Sequence, residues 1–282
     1  MEHVSGVMSS LLTVVVLGMA AALQAADNKY AVKPSQPPFR GLKVGFTSYS
    51  TRKLTLPQTL AEAKSLGVKY ISIKDVHCPL TATLAERQAV RKQIADAGMQ
   101  LMGVGVITLP SEEKAIRAAL EYARDLGSPS AVVMLDPPAV PTLDRVVKDF
   151  DLRVAIHNHG PEDKRFPSPF GIFKAIQNVD HKIGVCVDVG HTFRLGEDPV
   201  QALRTCAPRL YDMHIKDLAG PEYPARNVPV GTGVLDIVGI VKALKDIRYS
   251  QHVALEYEAE PDAPVPGMAA SFGFLRGLLA AG

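Results

Sequence analysis

From Leu42 onward the chain alternates short apolar runs with longer segments whose apolar residues recur at helical spacing. The runs cover 42–48 (LKVGFTS), 70–74 (YISIK), 100–107 (QLMGVGVI), 131–135 (AVVML), 152–157 (LRVAIH), 183–188 (IGVCVD), 210–215 (LYDMHI) and 252–257 (HVALEY). Their apolar, often β-branched character suits strands buried on both faces of a parallel sheet. The segments between them carry helix punctuation. Thr83 to Glu86 (TLAE) makes a capping box, and Gly98 is the stop signal for that helix. Ser111-Glu112-Glu113 opens another helix with carboxylates at its positive end, and Gly127 closes it. Ser168-Pro169 and Asp198-Pro199 each set a capping residue before a proline at the first helical position. Ile237, Ile240, Val241 and Leu244 mark one buried helix stripe.

A strand followed by a helix, repeated eight times within about 250 residues, is the arithmetic of a (β/α)8 TIM barrel in the α/β class. An open, doubly wound sheet would call for a glycine-rich phosphate loop after its first strand. The chain has Thr47-Ser48-Tyr49-Ser50-Thr51 there, without glycine, so the barrel is favoured.

Upstream of the barrel, Leu11 to Leu23 is almost wholly apolar and is followed by Ala25-Ala26. Its length fits the core of a secretory signal and falls short of a membrane span. Residues 1–25 therefore read as a signal peptide, 26–41 as a Pro-rich linker or arm, and 42–282 as the barrel. A buried N-terminal helix is the competing reading of the first stretch. The expected location is periplasmic or secreted, with no stable membrane span after processing.

Charge narrows the partners. The 282 residues carry 31 Lys and Arg against 29 Asp and Glu, a formal net charge of +2. Nothing global draws polyanions, so no nucleic-acid partner is expected. Cys78, Cys186 and Cys206 are too few and too far apart in sequence for a disulfide framework or a clustered zinc site. Cys186 is read as strand packing and Cys78 as structural.

In a barrel, chemistry sits where strands end and the following loops begin. Four consecutive strand ends carry metal-ligand residue types: His157, Asp188, His214 and Glu256. Each follows an apolar run at an equivalent depth, so two imidazoles and two carboxylates converge on one axis. Nitrogen and oxygen donors without thiolate suit a divalent Mn, Co, Zn, Ni or Fe(II) ion and suit an all-oxygen calcium site poorly. Buried charges of this kind are costly without a partner, and a divalent cation supplies one. Strand period two places His159, Lys216 and Glu258 at the same mouth, with His191 further out in the loop. Lys74 and His77, at the end of the second strand, are assigned to the same rim. The glycines of Pro229-Val230-Gly231-Thr232-Gly233 lack the full phosphate-binding fingerprint and read as a turn into the next helix.

The run Cys186-Val187-Asp188-Val189-Gly190-His191, the segment His214-Ile215-Lys216-Asp217, the Pro229–Gly233 turn and Glu256 resemble the xylose-isomerase-like TIM-barrel family of sugar-phosphate isomerases and epimerases. The resemblance runs from about Leu42 to the C-terminus and is clearest after residue 150. It implies a divalent metal and proton transfer beside a carbonyl, with two ligating glutamates as the acid/base pair. It also implies that Arg226 contacts substrate. The family's strand-five glutamate is usually followed by Asn and His, whereas this chain has His157-Asn158-His159. One carboxylate of the pair is thereby lost. Glu256 remains, and His159, Lys74 or Lys216 would supply the second acid or base.

The expected chemistry is abstraction of the proton next to a sugar carbonyl through an enediolate. Reprotonation makes an isomerase or epimerase, the first reading. Expulsion of a β-substituent makes a lyase acting on 3-keto-glycosides, a reading that suits an exported enzyme. A non-catalytic sugar-binding barrel is a third reading. An endonuclease IV-like nuclease would need a multi-zinc cluster and a basic face, and the balanced charge argues against it.

Overall fold

The computed structural model describes residues 39–222 and 225–281. The stretch expected to be a signal peptide, residues 1–25, and most of the expected arm lie outside them. Ten strands are present among the described residues: β1 (Lys43–Thr47), β2 (Tyr70–Ile73), β3 (Gln100–Leu109), β4 (Ser130–Leu135), β5 (Arg153–His157), β6 (Ile183–Asp188), β7 (Leu210–Ile215), β8 (Asp217–Leu218), β9 (Asn227–Val228) and β10 (His252–Leu255). Eight of them close a parallel barrel in the order β1-β10-β7-β6-β5-β4-β3-β2, while β8 and β9 form a small antiparallel pair outside it. All eight predicted runs are barrel strands, so the (β/α)8 expectation holds.

Helices fill the intervals: α1 (Leu56–Ser65), α2 (Leu84–Asp96), α3 (Glu113–Asp125), α4 (Val140–Val147), α5 (Pro169–Ala175), α6 (Val189–Arg194), α7 (Pro199–Cys206), α8 (Ile237–Asp246) and α9 (Val265–Ala281). Their starts follow the sequence signals. At α2 the Thr83 hydroxyl accepts from the Glu86 N–H at 3.3 Å, and the Glu86 carboxylate accepts from the Thr83 N–H at 2.7 Å. Gly98 takes a left-handed φ of 73°, where a side chain would be strained. Two helices follow β6. The Asp198-Pro199 signal marks only the second. The first is short and is capped by the Asp188 carboxylate, which accepts from the His191 N–H at 2.8 Å.

Two environments result from strand period two. Outward residues such as Phe46, Ile71, Ile156, Val187 and Leu255 join Leu120, Leu143 and Phe272 of the helices in the main apolar core. Phe39, the first described residue, is buried there and meets Phe272 edge-on at 6.3 Å. Many inward residues are small or polar. Val132, Ala155 and Cys186 form a separate interior cluster. A register shift between β6 and β7 pairs Cys186 with Asp212 and turns Tyr211 toward the bare face of Gly184, where a Cβ would lie 2.4 Å from the ring.

The layer beneath the mouth is unusually polar for a barrel interior. Ser72 Oγ lies 3.0 Å from His252 Nδ1, and Asp212 accepts from the Met213 N–H at 2.8 Å. Burial pushes the Asp212 carboxyl up to about 7 and the His252 imidazole down to about 3. Both groups are therefore biased toward their neutral forms.

Candidate metal centre and active site

The strand registers bring the four predicted ligands together. His157 pairs with Cys186 across β5 and β6, Asp188 with His214 across β6 and β7, and His214 with Ala254 across β7 and β10. Glu256 follows immediately, its N–H donating to the Ile215 carbonyl at 3.0 Å. His157, Asp188, His214 and Glu256 are all buried, and each offers a ligand atom within 4.8 Å of the others. His157 Nε2 is 3.2 Å from His214 Nδ1 and 3.6 Å from Asp188 Oδ2. His214 Nδ1 is 3.1 Å from Glu256 Oε2.

Lys216 completes the charge balance. Its Nζ lies 3.0 Å from Asp188 Oδ2, 2.8 Å from Glu256 Oε2 and 2.6 Å from Glu258 Oε1, with only 3% of the side chain exposed. It is thus neither a solvated lysine nor a free rim group. Burial opposes its charge, but Asp188, Glu256 and Glu258 hold it well above the ordinary lysine value. The same contacts act on the carboxylates. Burial opposes their ionisation, yet Lys216 and the imidazoles hold Asp188 and Glu256 well below the usual range. Burial pushes His157 down to about 4, so that ring is a neutral donor. Burial also opposes protonation of His214, but the Glu256 carboxylate beside it helps hold that ring well above its ordinary value.

The donor set fits a divalent transition metal. Two imidazoles and two carboxylates of one buried cluster match the nitrogen and oxygen preferences of such ions. His157 Nδ1 and Asp188 Oδ2 have no hydrogen-bond partner, the latter meeting Lys216 only as an ion pair.

Above the cluster opens a cavity of about 520 Å³ at the C-terminal mouth of the barrel. His157, Lys216 and Glu256 form part of its lining. His159 and His191 enter from the β5 and β6 side, with ring centroids 4.6 Å apart. Glu258 and Arg226 line the other side, which is built by β7, β10 and the segment between them. Lys74 also lines the cavity, but its ammonium donates to the Val106 carbonyl at 2.6 Å and pairs with Asp75 at 3.3 Å. His77 is not among the lining residues. The chain turns back after β2, with the His77 N–H donating to the Lys74 carbonyl, and the ring lies against Ser48 Oγ and the Leu54 carbonyl, both at 2.9 Å, and Thr59 Oγ1 at 3.2 Å. It fastens the β1 loop to α1, away from the cavity lining.

Further participants carry no signal in the strand-end pattern. Glu162 and Arg194 line the mouth beside His191 and contact each other. Asp217 plays a structural part. Its carboxylate accepts from the backbone N–H groups of Leu218 and Leu235 through Oδ1 and of Gly231 and Gly233 through Oδ2, at 2.9–3.1 Å. The glycine turn therefore wraps a carboxylate of its own chain. A Cβ on Gly233 would lie 2.3 Å from Asp217 Oδ1, which explains the glycine. Cys186 faces inward beneath the ligands. It sits two residues before Asp188, so the period that places the ligands also places it.

Comparison with solved structures finds the same architecture at low sequence identity. An uncharacterised protein from Parabacteroides distasonis is 24% identical, with 83% of this chain and 98% of that chain covered and a TM-score of 0.65. The 3-keto-D-glucoside 4-epimerase from E. coli is 16% identical, with 84% and 99% covered and a TM-score of 0.69. A probable 3-DHS dehydratase from Bacillus anthracis is 15% identical, with 83% and 98% covered and a TM-score of 0.70. No curated protein matches the chain. Residues 60–278 match the family model described as xylose isomerase-like TIM barrel, and the chain belongs to that family.

Proposed function

We propose that this protein is a divalent-metal-dependent enzyme of the sugar isomerase or epimerase type, transferring a proton next to a substrate carbonyl. The observation that carries the reading is the buried His157, Asp188, His214 and Glu256 cluster beneath a cavity whose two sides bear further ionisable groups. His157, Asp188, His214 and Glu256 would hold the metal, which when bound supplies a Lewis acid that polarises the carbonyl.

The chain's own groups account for the proton. Glu256 is held ionised by Lys216 and His214, so its carboxylate accepts a proton from the carbon beside the carbonyl. Lys216, in contact with Glu256, offsets the loss and gain of that negative charge. His159 comes from the opposite side and is 39% exposed, within reach of a substrate in the cavity. It is the second acid or base, taking the place of the carboxylate that His157 removes. Returning the proton to the opposite face gives the epimer, and delivering it to the neighbouring carbon gives the isomer. Arg226, Glu258 and His191 bind substrate hydroxyls at the rim.

A lyase is the second reading. With a single carboxylate base, the electron pair left after deprotonation can expel a β-substituent. A structural neighbour titled a probable 3-DHS dehydratase supports keeping elimination as a reading. The deciding experiment incubates metal-loaded protein with a 3-keto-glucoside and, separately, with free ketohexoses in heavy water. Epimer with solvent deuterium and no aglycone release selects the first reading, and aglycone release selects the lyase. Binding without any α-hydrogen exchange sinks both and leaves a sugar-binding barrel. Glu256→Gln should abolish either activity. Export is part of the proposal, and a mature secreted chain beginning at Ala26 would establish it.

A further inference from the structure

The candidate metal centre has a second face. Below the two imidazoles, Cys186 is fully buried on β6, and its sulfur, a His157 nitrogen and a His214 nitrogen lie within 4.8 Å of one another. Two donor sets thus share the same imidazole pair. One adds the Asp188 and Glu256 carboxylates toward the cavity, and the other adds a thiol toward the barrel interior. The remaining cysteines belong elsewhere: Cys78 and Cys206 lie in the outer core between sheet and helices.

We propose that Cys186 joins His157 and His214 in a nitrogen–sulfur site for thiophilic divalent ions, so that the chemistry of the ion decides which face of the imidazole pair it uses. The inference rests on the imidazole pair of the proposed metal centre. Hard ions such as Mn2+ have little use for sulfur and stay with the carboxylates. Softer ions such as Cd2+ and Co2+ gain a thiolate bond, as Cys186 loses its S–H proton to the buffer and the sulfur lone pair binds the ion without any change of oxidation state. An ion drawn to the interior would be displaced from the cavity where substrate binds. Thiophilic ions would then occupy the protein tightly and support turnover poorly.

The test is spectroscopic and does not depend on activity. Metal-stripped full-length protein is titrated with Co2+, Cd2+ and Mn2+, with bound metal quantified in each case. The expected result is a sulfur-to-metal charge-transfer absorption with Co2+ and Cd2+ at one equivalent, retained in Cys78→Ala and Cys206→Ala and lost in Cys186→Ala and Cys186→Ser. Cd2+ affinity should fall by at least about tenfold in the Cys186 variants, with Mn2+ affinity changed less than about twofold. Stoichiometric binding of Co2+ and Cd2+ with no sulfur band overturns the Cys186 assignment while leaving the metal centre standing. Absence of binding by all three ions overturns both. Should Cys186→Ala fail to fold, the band and its loss on His157→Gln in the wild-type cysteine background decide the matter.

Discussion

Removing the Lys216 ammonium is the sharpest probe of how the centre is balanced. In Lys216→Met the aliphatic stem keeps much of its packing, and the charge between Asp188, Glu256 and Glu258 disappears. The Glu258 contact counts for little, because that side chain is 40% exposed and solvent screens it. Asp188 and Glu256 are different: at 0% and 10% side-chain exposure they keep their charge largely out of water. Breaking a buried pair by deleting one partner costs about 3–5 kcal/mol. For a domain of this size each kcal/mol corresponds to about 2–4 °C in Tm, so metal-stripped Lys216→Met should melt roughly 6–20 °C below wild type. A bound divalent cation restores positive charge to the same carboxylates, so saturating Mn2+ should recover most of that loss and produce a larger Tm rise in the variant than in wild type. Thermal unfolding by circular dichroism, with and without metal, measures both quantities. A metal-stripped variant as stable as wild type, or a deficit that metal leaves unchanged, would refute the charge-balance argument.

Other outcomes follow from neighbouring geometry. Asp217→Ala strands the backbone donors of Leu218, Gly231, Gly233 and Leu235 and should destabilise by about 3 kcal/mol or more in chemical denaturation, while Asp217→Asn, which keeps acceptor capacity on one oxygen, should lose less. Asp212 carries a carboxyl raised to about 7, so the native state retains a proton that the unfolded chain gives up near pH 4. Its contribution is neutral below about pH 4, turns unfavourable as pH rises toward 7, and is constant above that. Asp212→Asn should therefore match wild type at acid pH and exceed it in stability by up to about 4 kcal/mol above pH 7, and a flat difference across pH would contradict the shift. His214→Ala should lower bound metal in elemental analysis as well as activity, whereas His77→Ala should alter stability and leave metal content unchanged.

The barrel is legible in the sequence because parallel strands buried on both faces leave continuous apolar runs, and eight such runs have few other ways to close. The candidate ligand cluster is legible for a related reason. His157, Asp188, His214 and Glu256 sit at the ends of adjacent strands, where register converts sequence position into depth. That logic fails once the strand ends. His77 lies past β2 in a turn that reverses the chain, so period two no longer says where its ring points. Glu162 and Arg194 reach the mouth from a long loop and a short helix that share no period with the sheet. Cys186 obeys the same period as the ligands, but one step inward from the mouth, where a small apolar side chain is also what plain packing requires. The role of Lys216 needs coordinates, because a lysine two residues beyond a ligand is equally consistent with a solvated rim group and with a charge enclosed by three carboxylates.

The clasp formed by Asp217 has a consequence for how such a barrel diversifies. Asp217 grips Gly231, Gly233 and Leu235, and the Val234 N–H donates to the Leu218 carbonyl at 2.9 Å, so the segment from 217 to 235 is cinched at its neck. Arg226 and Asn227, which face the cavity, are carried on the bight of that loop, and His214 and Lys216 lie on the barrel side of the knot. Length and sequence between the two halves of the clasp can therefore drift without tugging on the floor of the site. The loop is an exchangeable cassette: grafting a different segment between Leu218 and Pro229 offers a route to a different cavity wall on an unchanged floor.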